Sequence, residues 1–274
     1  KMNIKTNSAG ENEGLHNINP QFIDSVRSAE ESNGKFFTVN FGSNQIKIYF
    51  EKDAFNWVWN YKYRFQQDTV NLGSQLGTKL EKNKLGLINY FYIFIIQDIS
   101  NLNSHISPSV NSILDIGAGI GLFDLFLNQI LPNKKSFDLI EVEKLDEIEH
   151  VRNNPDITKN LSNDIKIKPV ATLKKFMIVN NANNINIISN KKIDNHAHKK
   201  YDLILSFRSW GFLYDLKIYE KFVRNTLNPD GIVITDLSIY DNLDSIKKFS
   251  ALFHDVTLIN ETPNNKRFIG KNLK

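Results

Sequence analysis

The chain has 274 residues, 41% hydrophobic and 23% charged, with 34 basic residues set against 30 acidic ones for a formal charge of +4. That length and balance suit one large globular domain, or a core with a smaller appendage, and are enough to bury a sizeable interior. The lack of cysteine excludes a disulfide framework, a thiolate metal site and a cysteine nucleophile, and the small, dispersed basic excess does not indicate a nucleic-acid partner.

A cytoplasmic setting is expected. The chain opens Lys1, Met2, Asn3, Ile4, Lys5 and continues with polar residues, without the apolar stretch of a signal peptide. The most apolar run, 85–96, is broken by Asn89 and falls well short of the roughly 20 residues of a membrane helix. It reads as a core helix, no membrane contact is expected, and the oligomeric state is left open.

In chain order, Asn19 and Pro20 resemble an N-cap and first helical residue, Phe22, Val26 and Ala29 share a face, and Gly34 closes the segment. Runs 36–41 and 46–50, separated by Gly42 to Gln45, read as a hairpin. Between 55 and 65 the aromatics Phe55, Trp57, Trp59, Tyr61, Tyr63 and Phe65 alternate as in a strand, although Asp53 also fits a helix cap. They read either as core packing or as a lid over a pocket. Residues 1–104 are expected to form an N-terminal appendage and 105–274 the main core.

From Ser112 onward, strands alternate with helices, the signature of a doubly wound, mostly parallel α/β sheet. Strands are predicted at 113–116, 137–142, 185–189, 201–207 and 231–236, with helices at 121–130, 145–151, 170–181 and 216–227. A turn at Asn228, Pro229 and Asp230 introduces the fifth strand. Runs 255–259 and 267–270 are expected to close the sheet as an antiparallel hairpin. Residues 152–168, rich in Asn, Asp and Lys, read as an insertion that shapes specificity or as a plain surface loop.

Between the first strand and helix lies Asp115-Ile116-Gly117-Ala118-Gly119-Ile120-Gly121. Glycines in such a turn let a ligand approach the backbone and meet helix N-terminal amides. The dinucleotide fingerprint needs a small residue five places after its first glycine, and Leu122 stands there. A phosphate-binding P-loop needs Lys-Ser/Thr after its last glycine, and Leu122-Phe123 follow instead. The remaining pattern resembles the first motif of class I S-adenosylmethionine (SAM) dependent methyltransferases.

The resemblance covers about 112–270. It implies a seven-stranded sheet with a closing hairpin, SAM as cofactor, and a loop of Asp115, Gly117, Ala118, Gly119 and Gly121 holding its amino-acid end. It implies that Glu141, or its rival Glu143, accepts from the ribose hydroxyls, an acceptor-only task suited to a carboxylate. It also implies that Asn190, where Asp is usual, accepts from the adenine amine. The end of the fourth strand, at Ser206, is where such enzymes meet the transferable methyl.

Beyond Ser206, Arg208 is a candidate anchor for an anionic acceptor group and Trp210 a candidate wall, each with an ordinary loop role as the alternative. The Asp/Asn-Pro-Pro-Tyr/Phe signature of amino-group methylation is missing from this segment. A small-molecule acceptor methylated on a hydroxyl is therefore expected. RNA or protein methylation, and a non-catalytic SAM-binding module, are the alternatives. His196 and His198 lack a third ligand and read as a solvated loop, while His105, His150 and His254 have no local partner that singles them out.

Overall fold

The computed structural model describes residues 34–41, 44–51, 102, 105–107, 109–131, 136–144, 168–238, 244–261 and 265–274. The helix expected after Pro20, the aromatic run 55–65, the apolar run 85–96, the helix at 145–151 and the insertion 152–167 lie outside them.

The core elements follow in order: β3 (Ser112–Ile116), α1 (Leu122–Ile130), β4 (Ser136–Glu141), α2 (Pro169–Val179), β5 (Ile185–Ser189), a 3-10 turn (Asn190–His196), β6 (Tyr201–Ser206), α3 (Lys217–Thr226), β7 (Leu227–Ser238), α4 (Asp244–Leu252), β8 (Phe253–Glu261) and β9 (Asn265–Leu273). Before them stands the hairpin of β1 (Gly34–Phe41) and β2 (Asn44–Glu51). Its ladder reaches the pair Phe41↔Asn44, so the connection is tighter than the four-residue loop expected from the sequence.

The sheet order is β5-β4-β3-β6-β7-β9-β8. β3 to β7 run parallel, whereas β9 pairs antiparallel with both β7 and β8. This is the expected doubly wound, mostly parallel seven-stranded sheet with its closing hairpin. From β3 the chain winds outward through β4 and β5, then returns to β6 on the opposite side. The carboxyl ends of β3 and β6 therefore flank the point where winding reverses, the crevice in which such sheets bind ligands.

Apolar residues on both faces of the strands make the core. Ile113, Leu139, Leu203 and Ile234 pack under α1 and α2, while Leu114, Ile140, Ile204 and Val233 pack under α3 and α4. This double coverage explains why the strands read as continuous apolar runs. Ile48 of β2 is buried in the α1/α2 layer, so the hairpin shares the core. Asn180, capping α2, binds β2 as a strand would: Oδ1 accepts from Tyr49 N at 2.5 Å and Nδ2 donates to Tyr49 O at 2.9 Å. That anchor lies beside the start of β5, at the amino edge of the sheet.

Helix ends follow local chemistry. Pro169 occupies the first turn of α2, and Asn181 takes a left-handed φ of 57° just beyond its C-cap. α4 has no counterpart in the sequence reading. The turn at 228–231 loops out of the ladder, whose register steps from Tyr201↔Leu227 to Leu203↔Ile232. Among the described residues, no helix is long and apolar enough to cross a membrane.

Candidate functional site

The loop after β3 is built from three left-handed residues, Gly117 (φ 79°), Gly119 (φ 62°) and Gly121 (φ 70°), a conformation in which a β-carbon is strained. Gly117 N and Ala118 N donate to Ile140 O at 2.8 and 3.3 Å, which ties the loop to β4. Two of the glycines are also sterically required. A β-carbon at Gly117 would lie 1.8 Å from Ser209 Oγ, and one at Gly121 would lie 2.2 Å from Met177 Cε. Around Gly119 an added β-carbon meets nothing within 4 Å. The loop is packed at both ends and open in the middle.

Glu141, at the end of β4, closes on that middle. Its Oε2 accepts from Gly119 N at 2.7 Å and its Oε1 from Val142 N at 2.8 Å. Burial pushes the carboxyl up to about 7, aided by the nearby charge of Asp115 and opposed by the two amides. Each oxygen keeps a further lone-pair direction. Glu143 is engaged elsewhere, accepting from Ser189 Oγ at 2.9 Å and pairing with Lys191 at 3.5 Å. Those donors, the serine first, hold its carboxyl below the usual range.

Asp115 is buried beneath the loop, facing Asp124 in the first turn of α1, which is also buried. No donor meets Asp115 Oδ1 as a carboxylate. Burial raises its pKa well above the ordinary value, and the charge and hydrogen bond of Asp124 raise it further. Each buried carboxyl thus disfavours the charge of the other.

The end of β6 corrects two sequence expectations. Ser206 is fully buried; its Oγ donates to Ile116 O at 2.9 Å and accepts from Trp210 N at 2.8 Å. It therefore latches β6 to β3 and has no face for a cofactor. Trp210 is fully buried in the α3/α4 layer, with Nε1 donating to Leu216 O at 2.7 Å. An indole with no exposed surface and its N–H satisfied is core, not an acceptor wall. Arg208 is half-buried and takes a left-handed φ of 55°, rare for a residue with a side chain. Asn190 stands where expected, half-buried at the head of the 3-10 turn after β5.

Three further residues escaped the sequence reading. Asp124 carried a signal, an acid inside the apolar run Leu122-Phe123-Asp124-Leu125-Phe126. Ser209 carried none, since only the sheet order brings it over Gly117. Arg267 of β9 is buried and bonds Asp236 through Nε at 2.7 Å and Nη2 at 3.0 Å. Its guanidinium lies 4.0 Å from the Phe207 ring centre, and Phe207 meets Phe123 edge-on at 5.0 Å. An apolar, cation-backed wall thus runs from α1 across the carboxyl end of β6. His196 and His198 sit in and just after the 3-10 turn, and no group of three or more His, Cys, Asp or Glu positioned to hold a metal occurs among the described residues.

No protein-family model matches the chain, and no curated protein sequence does. Solved structures match at low identity. A Staphylococcus aureus protein with a provisional caffeoyl-CoA O-methyltransferase name is 15% identical over 75% of this chain and 98% of its own, with a TM-score of 0.44. Human methyltransferase-like protein 13, solved with S-adenosylhomocysteine (SAH), is 14% identical over 65% and 81%, with a TM-score of 0.41. Fibrillarin of Methanococcus jannaschii, a pre-rRNA processing protein, is 15% identical over 62% and 70%, with a TM-score of 0.40. Likenesses this slight carry no conclusion about activity. By strand order, closing antiparallel pair and the glycine loop after β3, the chain has the class I methyltransferase fold.

Proposed function

We propose that this chain is a SAM-dependent methyltransferase acting on a small molecule, at a hydroxyl group. The observation that carries the reading is the glycine loop at the point of reversed winding, packed at Gly117 and Gly121 and open over Gly119 alone. A backbone cradle that only a missing β-carbon keeps open suits a ligand lying against the main chain.

In this reading the loop residues Asp115, Gly117, Ala118, Gly119 and Gly121 hold the amino-acid end of SAM. Glu141 accepts from the ribose hydroxyls through its remaining lone pairs, and Asn190 accepts from the adenine amine. When bound, the cofactor supplies a sulfonium methyl group. Transfer of that methyl to the acceptor oxygen would leave SAH and release one proton. Positioning and exclusion of water then supply much of the rate. Arg208, at the edge of the same crevice, anchors an anionic group of the acceptor.

Isothermal titration with SAM, SAH and NAD tests the cofactor half. SAM and SAH are expected to bind, and an absence of either at millimolar concentration, with NAD bound instead, overturns it. Incubation with methyl-labelled SAM and a cell extract tests the acceptor half. Label is expected in small hydroxylated metabolites, and label confined to RNA or protein overturns that half.

A further inference from the structure

Two half-exposed aromatics flank the glycine loop. Phe123 follows Gly121 by two residues, and Phe207 follows Ser206, which bonds Ile116 O just before the loop begins. Phe207 faces the α1/α2 layer, where its ring meets that of Phe123 at 89° with centres 5.0 Å apart. The guanidinium of Arg267 lies 4.0 Å from the centre of the same ring, and Asp236 fixes it there through two hydrogen bonds of 2.7 and 3.0 Å. Arg267 and Asp236 are themselves buried, at 3% and 0% exposure, so the backing of Phe207 is part of the core.

That setting discriminates among hydroxyl-bearing molecules. A sugar laid against this wall would lose water from several hydroxyl groups without gaining partners, at a cost for each. A flat ring would bury apolar area there and meet Phe207 edge-on or offset, the arrangements that aromatic pairs prefer. A cation held against Phe207 draws π density toward itself, which favours an electron-rich partner, and a ring bearing a hydroxyl is one. A phenol also has an acidity near that of a tyrosine side chain, about 10, so its methylation asks less of a general base than that of an aliphatic alcohol.

We propose that the acceptor is a phenol, its hydroxyl carried on an aromatic ring, and that Phe207 is the residue that selects for the ring. The inference rests on the small-molecule methyltransferase reading above and narrows its acceptor class. Phenol and SAM would give an aryl methyl ether, SAH and one proton, so no further reactant is needed. Phe123 and Arg267 act through Phe207, as positioning residues.

Calorimetric titration of the SAH-saturated protein with catechol, cyclohexane-1,2-diol and glucose tests this. Catechol and the diol share ring size and a pair of neighbouring hydroxyls, and only catechol is aromatic. Wild type should bind catechol at least about threefold more tightly than the diol, and glucose more weakly still. Phe207→Leu keeps the apolar bulk and should weaken catechol roughly three- to tenfold, the scale of one aromatic pair, while diol binding, SAH affinity and melting temperature hold. The proposal is overturned if wild type binds no catechol at millimolar concentration or prefers the diol or glucose. It is equally overturned if Phe207→Leu keeps the preference, or loses SAH affinity or melting temperature along with it. A wild type that binds no SAH removes the cofactor reading itself, an outcome distinct from the others.

Discussion

Asp138, among the starts of β4, β5 and β6, and Asp115, at the carboxyl end of β3, are buried acids of one sheet held in opposite ways. Asp138 is saturated with donors: Lys199 Nζ at 2.8 and 2.9 Å, Asn186 Nδ2 at 2.7 Å, Tyr201 OH at 2.7 Å and Ser136 Oγ at 3.1 Å. Burial opposes its ionisation, but those donors outweigh burial and hold its pKa below the ordinary value. Nearby, Asp202 binds Asn111 N, Ser112 N, Ser112 Oγ and Asn228 Nδ2 to the same effect. At the carboxyl edge, Asp115 and Glu141 are shifted upward, and Asp115 Oδ1 and Ser209 Oγ lack partners. At the amino edge both acids find their donors within the protein. The other edge keeps unmet capacity and raised acids, in keeping with the ligand site proposed there.

That contrast breaks most readily at Asp138. Asp138→Ala strands Lys199 and Tyr201 and should cost about 3 kcal/mol of stability in urea denaturation, leaving SAH affinity of the folded fraction unchanged. Coupled losses of stability and affinity would show that the two edges are not separate.

Glu141→Gln sharpens the contrast through pH. The Glu141 carboxyl is raised to about 7 by burial, so the folded state holds its proton more tightly than the unfolded chain does. Its stabilisation is complete below the unfolded pKa and is lost as pH climbs to about 7. Ligand-free wild type should therefore lose on the order of 2 kcal/mol more than Glu141→Gln between about pH 5 and 7.5, followed by thermal melts. Asp115 keeps a slope of the same sign in both proteins. SAH affinity should move oppositely in wild type, rising with pH as the carboxylate forms, and should stay flatter in the variant.

Gly119→Ala separates folding from binding. With open space around it, the added methyl meets only the left-handed strain, about 1 kcal/mol, yet it intrudes where the ligand is proposed to lie. SAH binding should fall more than tenfold by titration calorimetry, while the melting temperature moves by only a few degrees. The smallest effect is expected for Arg208→Gly. Glycine adopts the left-handed turn freely, so stability should stay within about 1 kcal/mol, and kcat/KM should fall only for acceptors bearing an anionic group.

The amino-acid sequence by itself determined the strands from β3 to β9, the helices α1, α2 and α3, the glycine loop and the position of Glu141. Each of these is written in short-range periodicity or in the backbone freedom of glycine, so neighbours in sequence suffice to read it. α4 escaped because its buried residues, Ser245, Phe249 and Leu252, make a sparse stripe. Only the tertiary structure decided the rest. The sheet order sets Ser209 over Gly117 and Asn180 against Tyr49, across 92 and 131 residues of sequence. Packing under α3 and α4 turned Trp210 from a candidate wall into core, and the strand-end latch took Ser206 out of the site. Asp124 became a partner of Asp115 because α1 folds back over its own strand. Partnership between polar side chains depends on distance in space, which local sequence pattern does not encode. Whether a hydroxyl or carboxyl is met or left waiting was settled only when the two sides of the sheet came together.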